Sequence, residues 1–304
     1  MISGLYSFEN QLKSYQDLIN ASLSTAFTGE DASVDLTMEA SLYSLLAGGK
    51  RIRPVLMLAV SDMLGLSFEQ VMPFACAIEM IHTYSLIHDD LPCMDNDDTR
   101  RGMPTCHVKY PEAIALLAGD ALLNRAYEIM LEAALDGNPA KVKAACYMAK
   151  MAGSRGMIGG QTLDLLSEGK RISDETLSIL HQKKTGCLLT APVIIPVYLA
   201  VQNGKTPSLE SKLTDFAGHI GLAFQIKDDL LDVTSTKELL GKSTGKDAAE
   251  EKSTFVTLYG IDKARELLQN ETDEAFHALV MLEEDGFDTR FLNDLNRYLL
   301  ERDK

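Results

Sequence analysis

The length and apolar character of its helical runs constrain this chain most. "EAIALLAGDALLNRAYEIMLEAAL", from Glu112 to Leu135, is apolar-rich throughout. "LSFEQVMPFACAIEMIHTYSLIHDD" keeps its apolar character up to Leu91, where Pro92 breaks it. "DETLSILHQKKTGCLLTAPV" and "KLTDFAGHIGLAFQIKDDLLDV" add two more such runs. A helix that is apolar on most faces must be covered on most faces. The sequence therefore predicts an all-α fold, a multi-helix bundle with buried central members. Alternating runs rich in Val, Ile and Thr, bounded by turns, do not occur. Neither a fixed-period repeat nor a linker divides the chain, so one domain over residues 1–304 is expected.

Local signals agree with helices. In "GGKRIRPVLMLAVSDMLG", Pro54 suits the first helical position and Gly65 the end. Ser67 and Gln70 have capping-box spacing. The most apolar stretch, "TGCLLTAPVIIPVYLAV", is short of a membrane span and carries Pro192 and Pro196. It reads as a buried helix, and no integral membrane span is expected.

Charge narrows the function classes. A net charge of −15 argues against nucleic-acid binding by general basicity. It also requires any anionic substrate to be held by local basic groups or a bridging metal. The 5 cysteines are odd in number and scattered, which predicts a reducing compartment and a cytoplasmic protein. "MISGLYSFENQLKSYQ" shows no basic start followed by an apolar stretch, so no signal peptide is expected.

Two carboxylate clusters each end an apolar run: Asp89, Asp90 and Asp95 in "DDLPCMD", and Asp228, Asp229 and Asp232 in "FQIKDDLLDV". Asp228 and Asp232 fall on one helix face, where like charges repel unless a counter-charge joins them. Magnesium is the natural partner, since it takes hard oxygen ligands and often bridges carboxylates to substrate phosphates. Asp89 and Asp95 would lie on different faces of an unbroken helix. Pro92 interferes there and lets the chain bring Asp95 back towards Asp89. The plainer alternative is a solvated acidic face. Against it stand the apolar runs behind each cluster and the basic groups nearby: "GGKRIRP", "TRRG", "KKTG", "LGKSTGKD" and "EKST". Asp97 and Asp98 read more simply as partners of Arg100 and Arg101.

These motifs, with "LAGDALL" and "GGQTLDL" between them, keep one order over roughly residues 35–260. In that order the sequence resembles the trans-isoprenyl diphosphate synthases, the polyprenyl synthetase family. The resemblance implies an isoprenoid-synthase-type bundle around a deep central cavity, aspartate motifs facing each other across its mouth, and a homodimer. It places Lys50, Arg53, His82 and Arg101 at an isopentenyl diphosphate site. Asp89 and Asp95 match magnesium ligands, with Asp90 beside them. Asp228 matches the ligand of a further magnesium, supported by Asp229 and Asp232, in a set of three ions. Arg100 matches an allylic diphosphate contact. Lys184, Thr185, Gln225 and Lys242 match residues around the allylic substrate, and Lys252 one near the leaving diphosphate. Met103 stands where many relatives have lysine, and Glu251 where they have glycine.

The implied reaction condenses isopentenyl diphosphate with dimethylallyl or geranyl diphosphate, and Asp89, Asp95, Arg100, Lys184, Asp228 and Lys242 would carry it. Tyr84 lies about 7–8 Å before Asp89 along a helix, where its ring would floor the product cavity, with the small Ser85 beside it. That pattern implies a bacterial farnesyl type with a C15 product. The alternatives are a C20 synthase of the same family, a terpene cyclase and a non-catalytic partner subunit. A cyclase needs no isopentenyl site, which "GGKRIRP" and "RRG" supply, and such subunits lose an aspartate motif that is present here.

Overall fold

The computed structural model describes residues 6–27, 35–200, 206–234 and 253–301. The chain packs as two compact units, Met1–Ala145 and Cys146–Lys304. No linker marks the boundary in the sequence because it falls inside a helix, Pro139–Ala152.

The first unit is built from α1 (Phe8–Leu23), α2 (Asp35–Leu45), α3 (Ile52–Met63), α4 (Phe68–Asp89), the short α5 (Cys106–Lys109) and α6 (Glu112–Ala133). The boundary helix Pro139–Ala152 is α7. α4 is the centre: every residue from Phe74 to Ile81 is buried, and α2, α3 and α6 pack around it. α3 is buried continuously from Pro54 to Ser61. α1 is amphipathic, burying Leu12, Tyr15, Ile19 and Leu23 and exposing the Lys13–Asp17 pair. The Tyr15 hydroxyl donates to Asp62 of α3 at 2.9 Å, and its ring meets Phe68 edge-on.

The helix ends depart from the sequence signals in detail. α3 begins two residues before Pro54, whose missing N–H still falls among the first-turn groups that have no helical partner. Gly65 follows the end of α3 with φ +71°, as expected. Ser67 is the N-cap of α4, but its side chain makes no capping bond. The Gln70 N–H goes to the Ser67 carbonyl instead, at 3.1 Å. The sequence also gave no sign of a strand, yet Thr99–Arg100 and Met103–Pro104 form a two-residue antiparallel ribbon. Its turn residues, Arg101 and Gly102, have φ +54° and +75°. Positive φ at both central positions suits a tight hairpin, which turn geometry dictates without any apolar alternation.

The second unit holds α8 (Met157–Ser167), α9 (Asp174–His181), a π-helical turn (Gln182–Gly186), α10 (Cys187–Ala200), α11 (Thr206–Thr234), α12 (Phe255–Tyr259), α13 (Ile261–Glu284) and α14 (Arg290–Glu301). α11 packs on α10 and α13. α10 is the apolar stretch with two prolines, and it is buried from Pro192 to Tyr198. Its 14 residues span about 21 Å, short of a bilayer core. Among the described residues, no helix is long and apolar enough to cross a membrane.

Phe74 has no exposed surface at the centre of α4. Phe74→Ala should cost about 3–5 kcal/mol of unfolding free energy through the cavity it leaves. Denaturant titration followed by circular dichroism measures the loss.

Candidate active site

In the first unit, α4 runs out of the core at Asp89, and Asp90 forms its C-cap. The chain then turns back, and the Asp95 N–H donates to the Asp89 carbonyl at 2.8 Å. The turn expected at Pro92 therefore brings Asp95 next to Asp89. Asp90 behaves differently: it is buried, and Arg100 grips both of its oxygens, with Nε at 2.9 Å from each and Nη2 at 2.5 Å from Oδ1. Burial raises the Asp90 pKa, and Arg100 pulls it back down.

This changes the arginine pairing expected from sequence. Asp97 reaches Arg100 only at 3.7 Å. Arg101 donates Nη1 to the Gly48 carbonyl at 2.5 Å, and Asp98 accepts from Thr105 through its backbone carbonyl. The geometric reason is that Asp90 sits at the helix end facing the ribbon, whereas the turn at Arg101 aims that side chain at the Gly48–Gly49 loop. Gly49 lies against the Arg101 guanidinium, and its φ of +112° is a conformation that favours glycine. Lys50, Arg53, His82 and Arg101 share this neighbourhood: Arg53, Arg101, Arg100 and Arg51 all act on the His82 ring. Burial first, and then those guanidiniums, hold His82 neutral, with a pKa well below the ordinary value.

Tyr84 is buried one turn before Asp89, and its ring meets His88 edge-on at 5.6 Å. Its hydroxyl is buried without a hydrogen-bond partner. The Ser85 hydroxyl turns back to the His82 carbonyl. His88 is a packing residue, with Nε2 at 3.0 Å from the Leu116 carbonyl.

In the second unit, Lys184 and Thr185 sit in the π-helical turn between α9 and α10. Such turns insert a residue and re-aim side chains, and they favour functional sites. The Lys184 ammonium donates to Asp164 of α8 at 2.5 Å. α8 comes this close because of Gly160, where an added methyl would lie 2.2 Å from the Lys184 backbone nitrogen. The Thr185 hydroxyl donates to Gln225, and Gln225 donates to Asp229 at 3.1 Å. The other oxygen of Asp229 accepts the Phe255 N–H at 2.8 Å, fixing the start of α12. Asp229 is thus fully engaged with protein, whereas Asp232 keeps a buried Oδ2 with no hydrogen-bond partner.

An orphaned buried carboxylate oxygen suits a hard cation. Among the described residues no three His, Cys, Asp or Glu side chains close on one point. Lys242 and Lys252 lie outside the described residues. Sequence reasoning missed Asp164 and Gly160, although "GGQTLDL" stood out as a motif. It missed Arg51 and Glu79 as well.

A helical protein with these aspartate-bearing helix ends, basic loop and π-turn lysine has the isoprenoid-synthase type of all-α fold. The solved geranyltransferase of Helicobacter pylori, complexed with magnesium and isoprenyl diphosphate, superposes with a TM-score of 0.84 at 33% identity, covering 98% of each chain. The chain belongs to the polyprenyl synthetase family, whose model matches residues 34–281. It is 42% identical to the farnesyl diphosphate synthase of Haemophilus influenzae, over 93% of this chain and 94% of that one. It is 46% identical to a chloroplastic geranylgeranyl pyrophosphate synthase of Capsicum annuum, over 83% of this chain and 67% of that one.

His181, buried and stacked on Phe255 at 5.1 Å, gives the second unit a pH dependence. Burial pushes its pKa down from 6.5 to about 4. Below pH 6.5 the unfolded chain gains this proton first, so stability present at pH 7 is lost as pH falls towards 4. The loss reaches about 2 kcal/mol at pH 5. Denaturant midpoints between pH 7 and pH 5 should fall less steeply in His181→Gln.

Proposed function

We propose that this chain is a head-to-tail prenyltransferase that joins isopentenyl diphosphate to dimethylallyl and geranyl diphosphate, forming farnesyl diphosphate. The observation that carries this reading is that each unit holds its own set of polar groups with cations among them. Lys50, Arg53, His82 and Arg101 gather at the Gly48 loop, and Lys184, Thr185 and Gln225 gather at the π-turn. Two diphosphates need two such sets, which also favours a synthase over a terpene cyclase.

Magnesium, when bound, supplies neutralisation of charge on the departing diphosphate. We assign it to Asp89, Asp95, Asp228 and Asp232, in a set of three ions, with Asp90 and Asp229 orienting Arg100 and Gln225. Lys184 and Arg100 hold the allylic diphosphate, and Lys242 and Lys252 are assigned to the same group. As the allylic C–O bond breaks, negative charge grows on the oxygens these cations face, so their hold strengthens in the transition state. Lys50, Arg53 and Arg101 fix the second diphosphate. This leaves the isopentenyl double bond beside the allylic cation and makes the encounter effectively unimolecular. The new C–C bond forms, and the adjacent carbon loses a proton to the released diphosphate. His82, kept neutral, can donate a hydrogen bond to a diphosphate without adding charge.

We assign a C15 product from Tyr84, whose ring is buried five residues before Asp89 on α4 and, on this reading, limits the growing chain. The C20 reading draws on the geranylgeranyl synthases among the relatives. The cytoplasm and a homodimer complete the proposal.

Enzyme supplied with magnesium, isopentenyl diphosphate and each allylic starter should yield predominantly farnesyl diphosphate by chromatography. A predominant C20 product overturns the Tyr84 assignment. Tyr84→Ala should lengthen the product, and an unchanged distribution would place the floor elsewhere.

A further inference from the structure

We infer that α1, through Gln16 and Asn20, is part of the diphosphate-binding apparatus: it positions the loop that carries Lys50 and Arg53. The inference rests on the reading of that loop as the isopentenyl diphosphate site. The matched family model begins at residue 34, so α1 lies outside it.

The loop between α2 and α3 holds an unusual backbone. Gly48 and Gly49 have φ +85° and +112°, and Arg51, which is not a glycine, has φ +55°. A left-handed non-glycine residue is strained and persists only where its surroundings enforce it. Here the enforcement is visible. The Arg51 side chain is buried and spends its donors on three acceptors: Nη1 on Glu79 of α4 at 2.6 Å, Nη2 on the Leu45 carbonyl at 2.7 Å, and Nε on Asn20 of α1 at 3.0 Å. The neighbouring residue is held from the same helix, since Gln16 Nε2 donates to the Lys50 carbonyl at 3.0 Å.

The partners decide the amide orientations. A carbonyl can only accept, so Gln16 presents nitrogen; a guanidinium can only donate, so Asn20 presents oxygen. Gln16 and Asn20 are 4 residues apart, on one face of α1 beside its buried stripe of Tyr15, Ile19 and Leu23. That stripe and the Tyr15–Asp62 bond anchor α1 to the core. The two amides therefore transmit a fixed reference to a strained loop. They fix where the Lys50 side chain departs, and they hold Arg51 in the conformation that sets the direction of Ile52 and Arg53. The Gly48 carbonyl that receives Arg101 belongs to the same loop. Gln16 and Asn20 touch no substrate, so they are positioning residues.

The test compares steady-state KM values for isopentenyl diphosphate and geranyl diphosphate in full-length enzyme. Gln16→Glu keeps the shape but turns a second acceptor onto the Lys50 carbonyl. Asn20→Leu removes the acceptor from Arg51, and Asn20→Asp restores one. Gln16→Glu and Asn20→Leu should each raise KM for isopentenyl diphosphate about three- to tenfold, the scale of one hydrogen bond. KM for geranyl diphosphate should stay unchanged, and Asn20→Asp should return close to the parent value. Lys13→Ala, on the exposed face of α1, should change neither. Equal effects on both KM values, or equal effects of Asn20→Leu and Asn20→Asp, overturn the inference by showing a general loss of structure. Unchanged KM values in Gln16→Glu and Asn20→Leu, with Lys50→Ala raising KM for isopentenyl diphosphate, overturn it while leaving the site reading intact. A Lys50→Ala enzyme with unaltered KM overturns the site reading, and the inference with it.

Discussion

The buried pair of Arg51 and Glu79 is the interaction around which the first unit is arranged. Both side chains are almost wholly removed from water, at 1% and 2% exposure. Burying two charges costs several kcal/mol each unless the geometry is close and the remaining donors are met. The contact is close, and the other two guanidinium nitrogens each find an acceptor, Nη2 on the Leu45 carbonyl and Nε on Asn20. Removing either partner would strand a charge inside α4's packing. The pair therefore fixes the loop before α3 against the middle of α4, ten residues before Asp89 on the same helix. One rigid helix thus locates both the basic loop and the carboxylates at its end.

The apolar runs made the helices legible, because a helix greasy on all sides has few ways to be satisfied. α4 and α10 are the clearest examples: both are buried over most of their circumference. The return of Asp95 to Asp89 was legible too, since Pro92 forbids the helix from continuing. What escaped were contacts between residues far apart in sequence. Nothing around Asp164 announces that it will meet Lys184, 20 residues later, because that meeting depends on the π-turn and on the space left by Gly160. The closer pairing of Arg100 with Asp90 than with Asp97 depends on a hairpin whose four strand residues carry no apolar alternation. Gln16 and Asn20 are ordinary amides on an amphipathic helix, 34 and 31 residues from their partners.

The two units share a pattern in how they pair a cation with a carboxylate. Arg100 is paired with Asp90, and Lys184 with Asp164. Each pair is electrically neutral, yet neither exhausts its cation. Lys184 has three N–H donors and Asp164 needs one; Arg100 has five, and Asp90 engages only Nε and Nη2. The carboxylates thus orient the cations while leaving donors for a ligand, and no bridge has to break on binding. The cost is that such pairs offer a diphosphate direction without net charge, in a chain whose total charge is −15. Neutralising a multiply charged ligand must then fall to groups outside the pairs. Arg101, bound to a carbonyl instead of a carboxylate, is one. The buried Oδ2 of Asp232, which has no hydrogen-bond partner, suits a divalent cation as a further source. In each unit, then, the acids first orient the cations, and charge beyond these pairs has to come from elsewhere.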